Sequence, residues 1–258
     1  MAENAQIQSR PNYGIDAPGL VRFFFSAGAV ALAIFLVVLF SSLLGQILKI
    51  VVGTLSGIAA TYLLGMGCFM LYGSKVMKLK DRDKLLDLVP WSGNERVLDV
   101  GCGRGLMLVG AAKRLTTGKA IGIDLWQQHD QANNSAAAAL ANAVTERVTE
   151  RVEIKTADMR QLPFPDDYFD VVLSSWAVHN VEAEVDRKKA LDEIVRVLKP
   201  NGRVVLSDII HQAEYAHYFE HHGMTNVQLH NNAIRDFALK AVTFGSFAPS
   251  AVSACKRA

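Results

Sequence analysis

A glycine-rich loop between an apolar run and a helical pattern carries the clearest chemical signal in the sequence. Residues 97–100 (Val-Leu-Asp-Val) lead directly into residues 101–105 (Gly-Cys-Gly-Arg-Gly). Glycines here let the backbone approach a ligand closely and leave the N–H groups of the following helix free to bind it. The carboxylate of Asp99, two residues before the first glycine, would repel a pyrophosphate but suits an ammonium group. The loop therefore predicts a ligand that is cationic near its glycines.

A second acidic residue lies where a nucleoside would need it. Asp124 ends the next apolar run, 19 residues after Gly105. An acidic side chain at this place can accept hydrogen bonds from two ribose hydroxyls. The loop departs from the dinucleotide fingerprint, because Leu106 stands where that fingerprint has its third glycine. This difference and the charge of Asp99 count against a nicotinamide-dependent oxidoreductase, the competing enzyme class for such a loop.

These residues resemble the class I S-adenosylmethionine-dependent methyltransferases, and further similar motifs follow in order. The motifs are residues 97–105, Ile123-Asp124, Thr156-Ala157-Asp158-Met159 before Leu162-Pro163-Phe164, Phe169-Asp170-Val171-Val172, and Leu198-Lys199-Pro200-Asn201-Gly202-Arg203. The resemblance covers residues 75–258, and the ubiquinone/menaquinone methyltransferase branch is the most similar. It implies an α/β, Rossmann-like seven-stranded methyltransferase fold whose last two strands form an antiparallel hairpin.

The resemblance also implies which residues bind S-adenosylmethionine. The glycines would line the methionine end of the cofactor, with Asp99 near its ammonium group. Asp124 would hold the ribose, and Asp158 would accept a hydrogen bond from the adenine amino group. Leu125 and Met159 would pack beside the adenine, or serve only as ordinary packing residues. The full predicted set is Asp99, Gly101, Cys102, Gly103, Gly105, Asp124, Leu125, Asp158, Met159 and Ser174.

The segment after the fourth predicted strand is where such enzymes contact the methyl acceptor. Methyl transfer from a sulfonium needs mainly alignment and exclusion of water, and a general base helps when the acceptor arrives protonated. His179 is the candidate base, since histidine titrates near neutral pH. Trp176 is the candidate wall of the acceptor pocket. The alternatives are a histidine bonded to backbone at a helix end and a tryptophan that fills the core.

The sequence predicts no metal site. Five histidines occur between His211 and His230, and His217 and His221 are four residues apart, a spacing that places metal ligands on one helix face. We found no acidic or cysteine partner at ligand spacing. The three cysteines, Cys68, Cys102 and Cys255, have neither zinc-ligand nor disulfide spacing, which is typical of a reducing cytoplasm.

Alternating strand and helix patterns position these residues. Strands are predicted at residues 96–100, 120–123, 152–154, 170–173 and 203–207, and helices at residues 106–115, 135–144 and 183–198. Such alternation implies a parallel sheet covered by helices on both faces. In the tail we predict a helix near residues 211–222 and strands near residues 227–230 and 251–255, without a large acceptor-binding insertion.

Two long uncharged segments precede this domain. Residues 23–48 and 50–74 contain no charged side chain, and 26 helical residues would reach about 39 Å, enough to cross a hydrocarbon core of about 30 Å. A turn around residues 45–49 would join them into a transmembrane hairpin. The alternatives are a signal peptide, which fits poorly because a second span follows, and a buried helical hairpin of a soluble protein. The predicted organisation is a polar tail (residues 1–20), the hairpin (21–74) and the methyltransferase domain (75–258).

The charges that flank the two segments predict their orientation. Arg10 and Arg22 precede the first segment, and five basic residues lie between Lys75 and Lys84. Positive flanks favour the cytoplasmic side, so both termini and the domain should be cytoplasmic, with anionic lipid as a possible contact of residues 75–84. The second segment has a small residue at every fourth position, which predicts either a homodimer or packing against the first segment. These residues are Gly53, Gly57, Thr61 and Gly65.

Two functions remain open at this point. The first is a membrane-anchored methyltransferase that acts on a small, lipophilic acceptor. The second is a non-catalytic S-adenosylmethionine-binding module that scaffolds a membrane complex. Residues 75–258 carry 24 basic and 23 acidic residues, and this near-neutral balance argues against nucleic acid as a partner.

Overall fold

The computed structural model describes residues 10–42, 44–127, 134–243 and 249–258. The chain divides into two units. One unit, Gly14–Leu79, contains two long apolar helices. The other contains the sheet and is formed by the described residues of Met1–Tyr13, Lys80–Gln127 and Asn134–Ala258.

Eight helices and seven strands are seen in the described part of the chain. The helices are α1 (Pro18–Phe40), α2 (Gln46–Tyr72), α3 (Lys78–Leu86), α4 (Leu106–Ala112), α5 (Ala136–Thr145), α6 (Glu184–Val197), α7 (Gln212–His221) and α8 (Ala233–Val242). The strands are β1 (Arg96–Val100), β2 (Lys119–Asp124), β3 (Val152–Thr156), β4 (Phe169–Ser175), β5 (Leu198–Asp208), β6 (Met224–His230) and β7 (Ser250–Lys256). A π-helical segment, Gly73–Met77, lies between α2 and α3, and short 3₁₀ helices occur at Thr149–Arg151 and Val178–Asn180.

The sheet has the strand order β3-β2-β1-β4-β5-β7-β6. Strands β1 to β5 pair in parallel, whereas β7 pairs antiparallel with both β5 and β6. The predicted seven-stranded α/β fold with a final antiparallel pair is therefore confirmed. Because the carboxyl ends of parallel strands meet at one edge, the segments that follow β1, β2, β4 and β5 converge there.

The central strands are buried on both faces, as expected for a parallel sheet covered by helices. In β1, Val97, Leu98 and Val100 have no exposed surface. In α6, Leu191 and Ile194 are fully buried, so this face of the helix packs against the core. A buried side chain of this size contributes about 1.5–3 kcal/mol to folding.

Strand β5 begins five residues earlier than predicted. The sequence placed Leu198 in the preceding helix and began the strand at residue 203, but Leu198 pairs with Phe169 of β4. The register then shifts, and Arg203 pairs with Val171. Asn201, with φ of 64°, provides the left-handed residue that this irregular pairing requires. Residues 199–202 therefore form an irregular segment within β5.

Two helices differ from the sequence-based prediction. Helix α4 ends at Ala112 instead of Leu115, because the N–H of Arg114 turns back to the carbonyl of Ala111 in a tighter turn. Helix α8 was not predicted, and it lies between β6 and β7, where the sequence suggested no insertion. Its Phe237 is 76% exposed.

Helices α1 and α2 are long and apolar enough to cross a membrane by length and composition. The mean hydropathy of their most apolar windows is 2.7 and 1.8. Only 17% of the residues in each window are buried. The connection between the helices was predicted too late, since α1 ends at Phe40 and Lys49 already lies in the first turn of α2.

The small residues of α2 face two directions. A Cβ on Gly53 would lie 3.7 Å from Val38 of α1, and one on Gly57 would lie 3.3 Å from the ring of Phe35. A Cβ on Gly65 would have no neighbour within 4 Å, and Thr61 is exposed. The first two glycines therefore allow close packing against α1, and a homodimer through the whole stripe stays a prediction.

Candidate active site

Asp99 is buried at the carboxyl end of β1, where the glycine loop begins. The residue is 1% exposed, and Oδ2 has no hydrogen-bond partner among the described residues. Burial is the main reason that the pKa of this carboxyl group is raised to about 7; a backbone hydrogen bond from Leu108 opposes the rise, and the nearby charge of Asp124 adds to it. A buried carboxylate without a partner is costly, so the site is prepared for a cationic group or a hydrogen-bond donor.

The loop after β1 is held by its own backbone. The N–H groups of Gly101 and Cys102 both donate to the carbonyl of Ile123 at 2.9 Å. Gly101 has φ of 70°, and a Cβ there would lie 2.2 Å from the Cβ of Ala177. Only glycine fits at this position, because the loop after β4 packs directly against it. Burial also raises the pKa of the Cys102 thiol, so this cysteine is a small protonated loop residue.

Asp124 lies where the sequence predicted it, at the end of β2. Its Oδ2 accepts from the N–H of Gly103 at 2.8 Å, and its Oδ1 accepts from the N–H of Trp126 at 2.6 Å. The amide of Asn134 donates to the same Oδ1 at 3.3 Å. Asn134 was missed by the sequence analysis, although its Oδ1 is buried without a partner among the described residues. Its only sequence signal was an amide shortly before a helix.

The predicted adenine contacts lie beyond β2 and β3. Asp158 binds Arg160 through a contact of 2.6 Å, and the hydrogen bonds from this guanidinium hold the pKa of the carboxyl group below its usual range. Met159 packs partly buried against the core, and Leu125 is 47% exposed. Leu125 is thus not a core residue, and its predicted place beside the adenine stays a prediction.

The segment after β4 carries the predicted acceptor residues. Ser174 is buried and donates to the carbonyl of Val100 at 2.8 Å, so its hydroxyl ties β4 to β1. Trp176 has φ of 55°, an uncommon conformation for a bulky residue. Its backbone N–H donates to the carbonyl of Ser207 at 2.8 Å. Such outliers concentrate at functional sites and therefore justify a functional hypothesis.

Asp208 is the main residue that the sequence analysis missed. It ends β5, is 1% exposed, and lies 2.5 Å through Oδ1 from Nδ1 of His179, although this ring nitrogen is not aligned for a hydrogen bond. Its Oδ2 accepts from the N–H of His179 at 3.0 Å and from the hydroxyl of Tyr215 at 3.2 Å. The signal that identified Asp124, an acidic residue at a strand end, would also have identified Asp208.

The two histidines within α7, His217 and His221, are exposed. Nitrogen and carboxylate atoms of His217, Glu220 and His221 lie within 4.8 Å of one another. Glu220 therefore stands at ligand spacing, which corrects the expectation that the two histidines have no acidic partner. His221 is bonded through Nδ1 to the carbonyl of His217 at 2.7 Å. The remaining histidines contact protein groups: His222 stacks on Tyr218, and His230 bonds to Ser253.

Comparison with known proteins agrees with this geometry. Residues 98–206 match the family described as "Methyltransferase domain". The 27-O-demethylrifamycin SV methyltransferase of Amycolatopsis mediterranei is 34% identical over 131 residues, which is 50% of this chain and 43% of that protein. The ubiquinone/menaquinone biosynthesis C-methyltransferase UbiE of Geobacter sulfurreducens is 32% identical over 126 residues, 48% of this chain and 46% of that protein.

A solved structure shows the same fold. It is geranyl diphosphate C-methyltransferase from Streptomyces coelicolor, in complex with Mg²⁺, geranyl diphosphate and S-adenosyl-L-homocysteine. The TM-score is 0.54 at 17% identity, covering 69% of this chain and 78% of that one. The chain spans less than half the length of the two curated relatives named above. Over residues 98–206 the chain thus matches a methyltransferase domain, in agreement with the predicted enzyme class and cofactor.

Proposed function

We propose that the whole chain is a membrane-anchored enzyme. Its methyltransferase domain transfers a methyl group from S-adenosylmethionine to a small, lipophilic acceptor. The observation that carries the proposal is the buried carboxylate of Asp99 beside the glycine loop, with one oxygen unpartnered among the described residues. Of the ligands that a methyltransferase domain binds, S-adenosylmethionine brings an ammonium group to this place. When bound, it supplies a methyl group on a positively charged sulfur.

The segments after β1 and β2 form what we call the cofactor end of the site. Their residues fit this ligand if Asp124 gives up one of its hydrogen bonds. A carboxylate offers about four acceptor positions, and Asp124 already accepts three hydrogen bonds in the structure. A ribose with two hydroxyls needs two positions. We expect the longest of these bonds, from Asn134 at 3.3 Å, to be given up when the ribose binds. Asp158 would similarly share its carboxylate between Arg160 and the adenine amino group.

The segments after β4 and β5 form what we call the acceptor end of the site. There we propose that His179 is a general base. With Nδ1 held 2.5 Å from Asp208, Nε2 is the nitrogen left to take a proton from the acceptor. Asp208 is a positioning residue, since it contacts the histidine ring, the histidine backbone and Tyr215. This arrangement suits an acceptor with an acidic O–H or C–H group, because a general base removes such a proton as the new bond to the methyl carbon forms. Trp176 would wall the pocket.

Two observations support the membrane and the lipophilic acceptor. Helices α1 and α2 expose most of their apolar surface, whereas a core helix of a soluble protein would be mostly buried. One relative is named for ubiquinone and menaquinone biosynthesis, and one structural neighbour is named for geranyl diphosphate. An acceptor with a prenyl or acyl tail would concentrate in the bilayer, at about 0.8 kcal/mol for each buried methylene. The basic flanks would place the domain and both termini on the cytoplasmic side.

A labelled-methyl assay tests the proposal and separates it from the non-catalytic scaffold. Full-length protein in detergent is incubated with S-adenosylmethionine carrying a labelled methyl group and with an organic extract of membranes. We expect label to enter a lipid-soluble product with the wild type and far less with His179→Gln. Binding of S-adenosylmethionine without any labelled product would instead favour the scaffold. Label found only in water-soluble products would overturn the lipophilic acceptor.

The membrane proposal has its own test. We expect the full-length protein to stay with membranes in alkaline carbonate and to need detergent for release. Release by carbonate alone would mean that α1 and α2 do not span the bilayer.

A further inference from the structure

The polypeptide just before α1 contacts the cofactor loop. Asn12 belongs to the same unit as the sheet, and its N–H donates to Oδ1 of Asn142 at 2.7 Å. The side-chain amide of Asn142 returns a hydrogen bond of 3.0 Å to the carbonyl of Asn12. The side chain of Asn142 therefore binds the backbone of Asn12 at two points, as a neighbouring β-strand would. We call this contact, together with Arg104, the Asn12 junction.

Within the Asn12 junction, Arg104 is bound through both its backbone and its side chain. The amide of Asn142 donates to the carbonyl of Arg104 at 2.9 Å, and Nε of Arg104 donates to the carbonyl of Asn12 at 2.8 Å. Asn142 has no exposed surface, and Arg104 is 7% exposed. Burial lowers the pKa of the Arg104 guanidinium, and the contact with the Asn12 carbonyl satisfies part of its hydrogen-bonding capacity.

Tyr13 fixes the segment next to the junction. Its ring is 5% exposed, and its hydroxyl donates to Glu146 at 3.4 Å. Burial is the main reason that the pKa of this hydroxyl is raised, so Tyr13 stays protonated at physiological pH. Glu146 also binds Lys113, which follows α4. Residues 12 and 13 are thus packed into the methyltransferase unit and are not a free tail.

Arg104 lies at the centre of the loop that we assign to the cofactor. It lies between Gly103 and Gly105. The N–H of Gly103 donates to Asp124 at 2.8 Å, and Gly105, with φ of 81°, directly precedes α4. A shift of Arg104 would therefore move the N–H groups at the start of this helix and the contact to Asp124. Glycine loops lack side chains that could hold them in place, so an outside support has a large effect on their shape.

We propose that the backbone of Asn12 and the side chain of Asn142 are positioning groups for S-adenosylmethionine, acting through Arg104. The segment before the apolar helices then forms part of the cofactor site, although it is more than 80 residues from the glycine loop in sequence. This inference rests on the proposed role of the loop in cofactor binding. It does not require direct contact between residues 12–13 and the cofactor.

The test uses two substitutions at one residue of the full-length protein in detergent. Asn12→Pro removes the N–H that Asn142 accepts, whereas Asn12→Ala keeps it. We expect Asn12→Pro to weaken the binding of S-adenosylhomocysteine at least tenfold by calorimetry, and Asn12→Ala to change it less than threefold. Asn142→Ala removes the support of Arg104 from the other side and should weaken binding to a similar extent.

A second readout separates positioning from general stability. Ile194→Val, in the buried face of α6, lowers stability without touching the loop. Hydrogen exchange of residues 101–108 should speed up in Asn12→Pro and Asn142→Ala, but not in Ile194→Val. If a folded Asn12→Pro and a folded Asn142→Ala both bind like the wild type, the inference is wrong. If Asn12→Pro does not fold, Asn142→Ala alone decides by the same criterion.

The outcomes also distinguish this inference from the proposed function. Failure of the wild type itself to bind S-adenosylhomocysteine would overturn the cofactor assignment and with it the inference. Wild-type binding that none of the folded variants weakens would leave the function intact and overturn only the Asn12 junction. Equal weakening in Ile194→Val would show that loss of stability alone explains the effect, and would also overturn it.

Discussion

The two ends of the site, one after β1 and β2 and the other after β4 and β5, use different chemistry. At the cofactor end, backbone N–H groups and glycines shape the loop, and Asp124 accepts from two of those N–H groups. At the acceptor end, side chains contact one another, with Asp208 against His179 and Tyr215. The first end is therefore suited to hold a ligand, and the second to move a proton. Substitutions at the two ends should separate binding from turnover.

The largest effect should come from the acceptor end. We expect His179→Gln to lower the rate of methyl transfer by about 10²- to 10⁴-fold, the usual contribution of a general base. The affinity for S-adenosylmethionine should change little, because His179 lies in the segment after β4 and not in the glycine loop after β1. Asp208→Asn should lower the rate less than His179→Gln, since the histidine itself remains. Single-turnover kinetics and calorimetry measure the two quantities separately.

His222→Gln is the control for this substitution. His222 stacks on Tyr218 and is exposed, so its replacement should leave the rate unchanged. A rate for His179→Gln within threefold of the wild type would exclude a general base and remove the contrast between the two ends.

The next effect tests the backbone character of the cofactor end. Gly101→Ala places a Cβ 2.2 Å from that of Ala177, at a φ of 70°. Overpacking and left-handed backbone strain together should lower the free energy of unfolding by about 2–5 kcal/mol. Gly223→Ala is the matched control, because Gly223 has φ of 77° but no atom within 4 Å of the added Cβ. Chemical denaturation should show the smaller loss, about 1–2 kcal/mol, for the control. Equal losses would mean that the contact with Ala177 has no energetic role.

Asp124→Ala should weaken S-adenosylmethionine binding by roughly 10- to 150-fold. The substitution removes a charged acceptor, and hydrogen bonds to charged groups contribute about 1.5–3 kcal/mol each. It also releases the N–H of Gly103, so the loop itself would loosen. Calorimetry of folded Asp124→Ala and of Asp81→Ala, an aspartate in α3, gives the comparison. Unchanged affinity in Asp124→Ala would contradict the ribose assignment, and NADH should not compete in either case.

The sequence correctly located the glycine loop and its acidic residues relative to β1 and β2, because their constraints are local. Glycines 101, 103 and 105 and the acidic residues at the ends of β1 and β2 act within a few residues of where they stand in the chain. The five parallel strands were also predicted, since each is an apolar run of its own. Such features can be recognised without knowledge of the tertiary structure.

The features that escaped prediction depend on distant contacts. Asp208 contacts His179 from 29 residues away, and Asn142 contacts Asn12 from 130 residues away. The strand-end position could have identified Asp208 itself, but no motif spacing reveals either contact, because the sheet and the packing of α5 bring the residues together.

The smallest expected effect concerns pH and Asp99. The pKa of this carboxyl group is raised to about 7 from the usual 3.8, chiefly by burial, so the folded protein keeps a proton that the unfolded chain has lost above pH 4. The free energy of unfolding without ligand should therefore fall as pH rises from about 4 to 7, and level off above that range. Binding of a cationic ligand favours the ionised carboxylate, so the affinity for S-adenosylmethionine should rise with pH over the same range. Between pH 5.5 and 7 we expect a gain of about tenfold, while the ligand's amino group stays protonated. Calorimetry across this range, repeated with Asp99→Asn, measures the effect, and the asparagine variant should show a flat profile. A tenfold gain that persists in Asp99→Asn would assign the titration to another group and leave Asp99 as a buried loop residue without a role at the cofactor end.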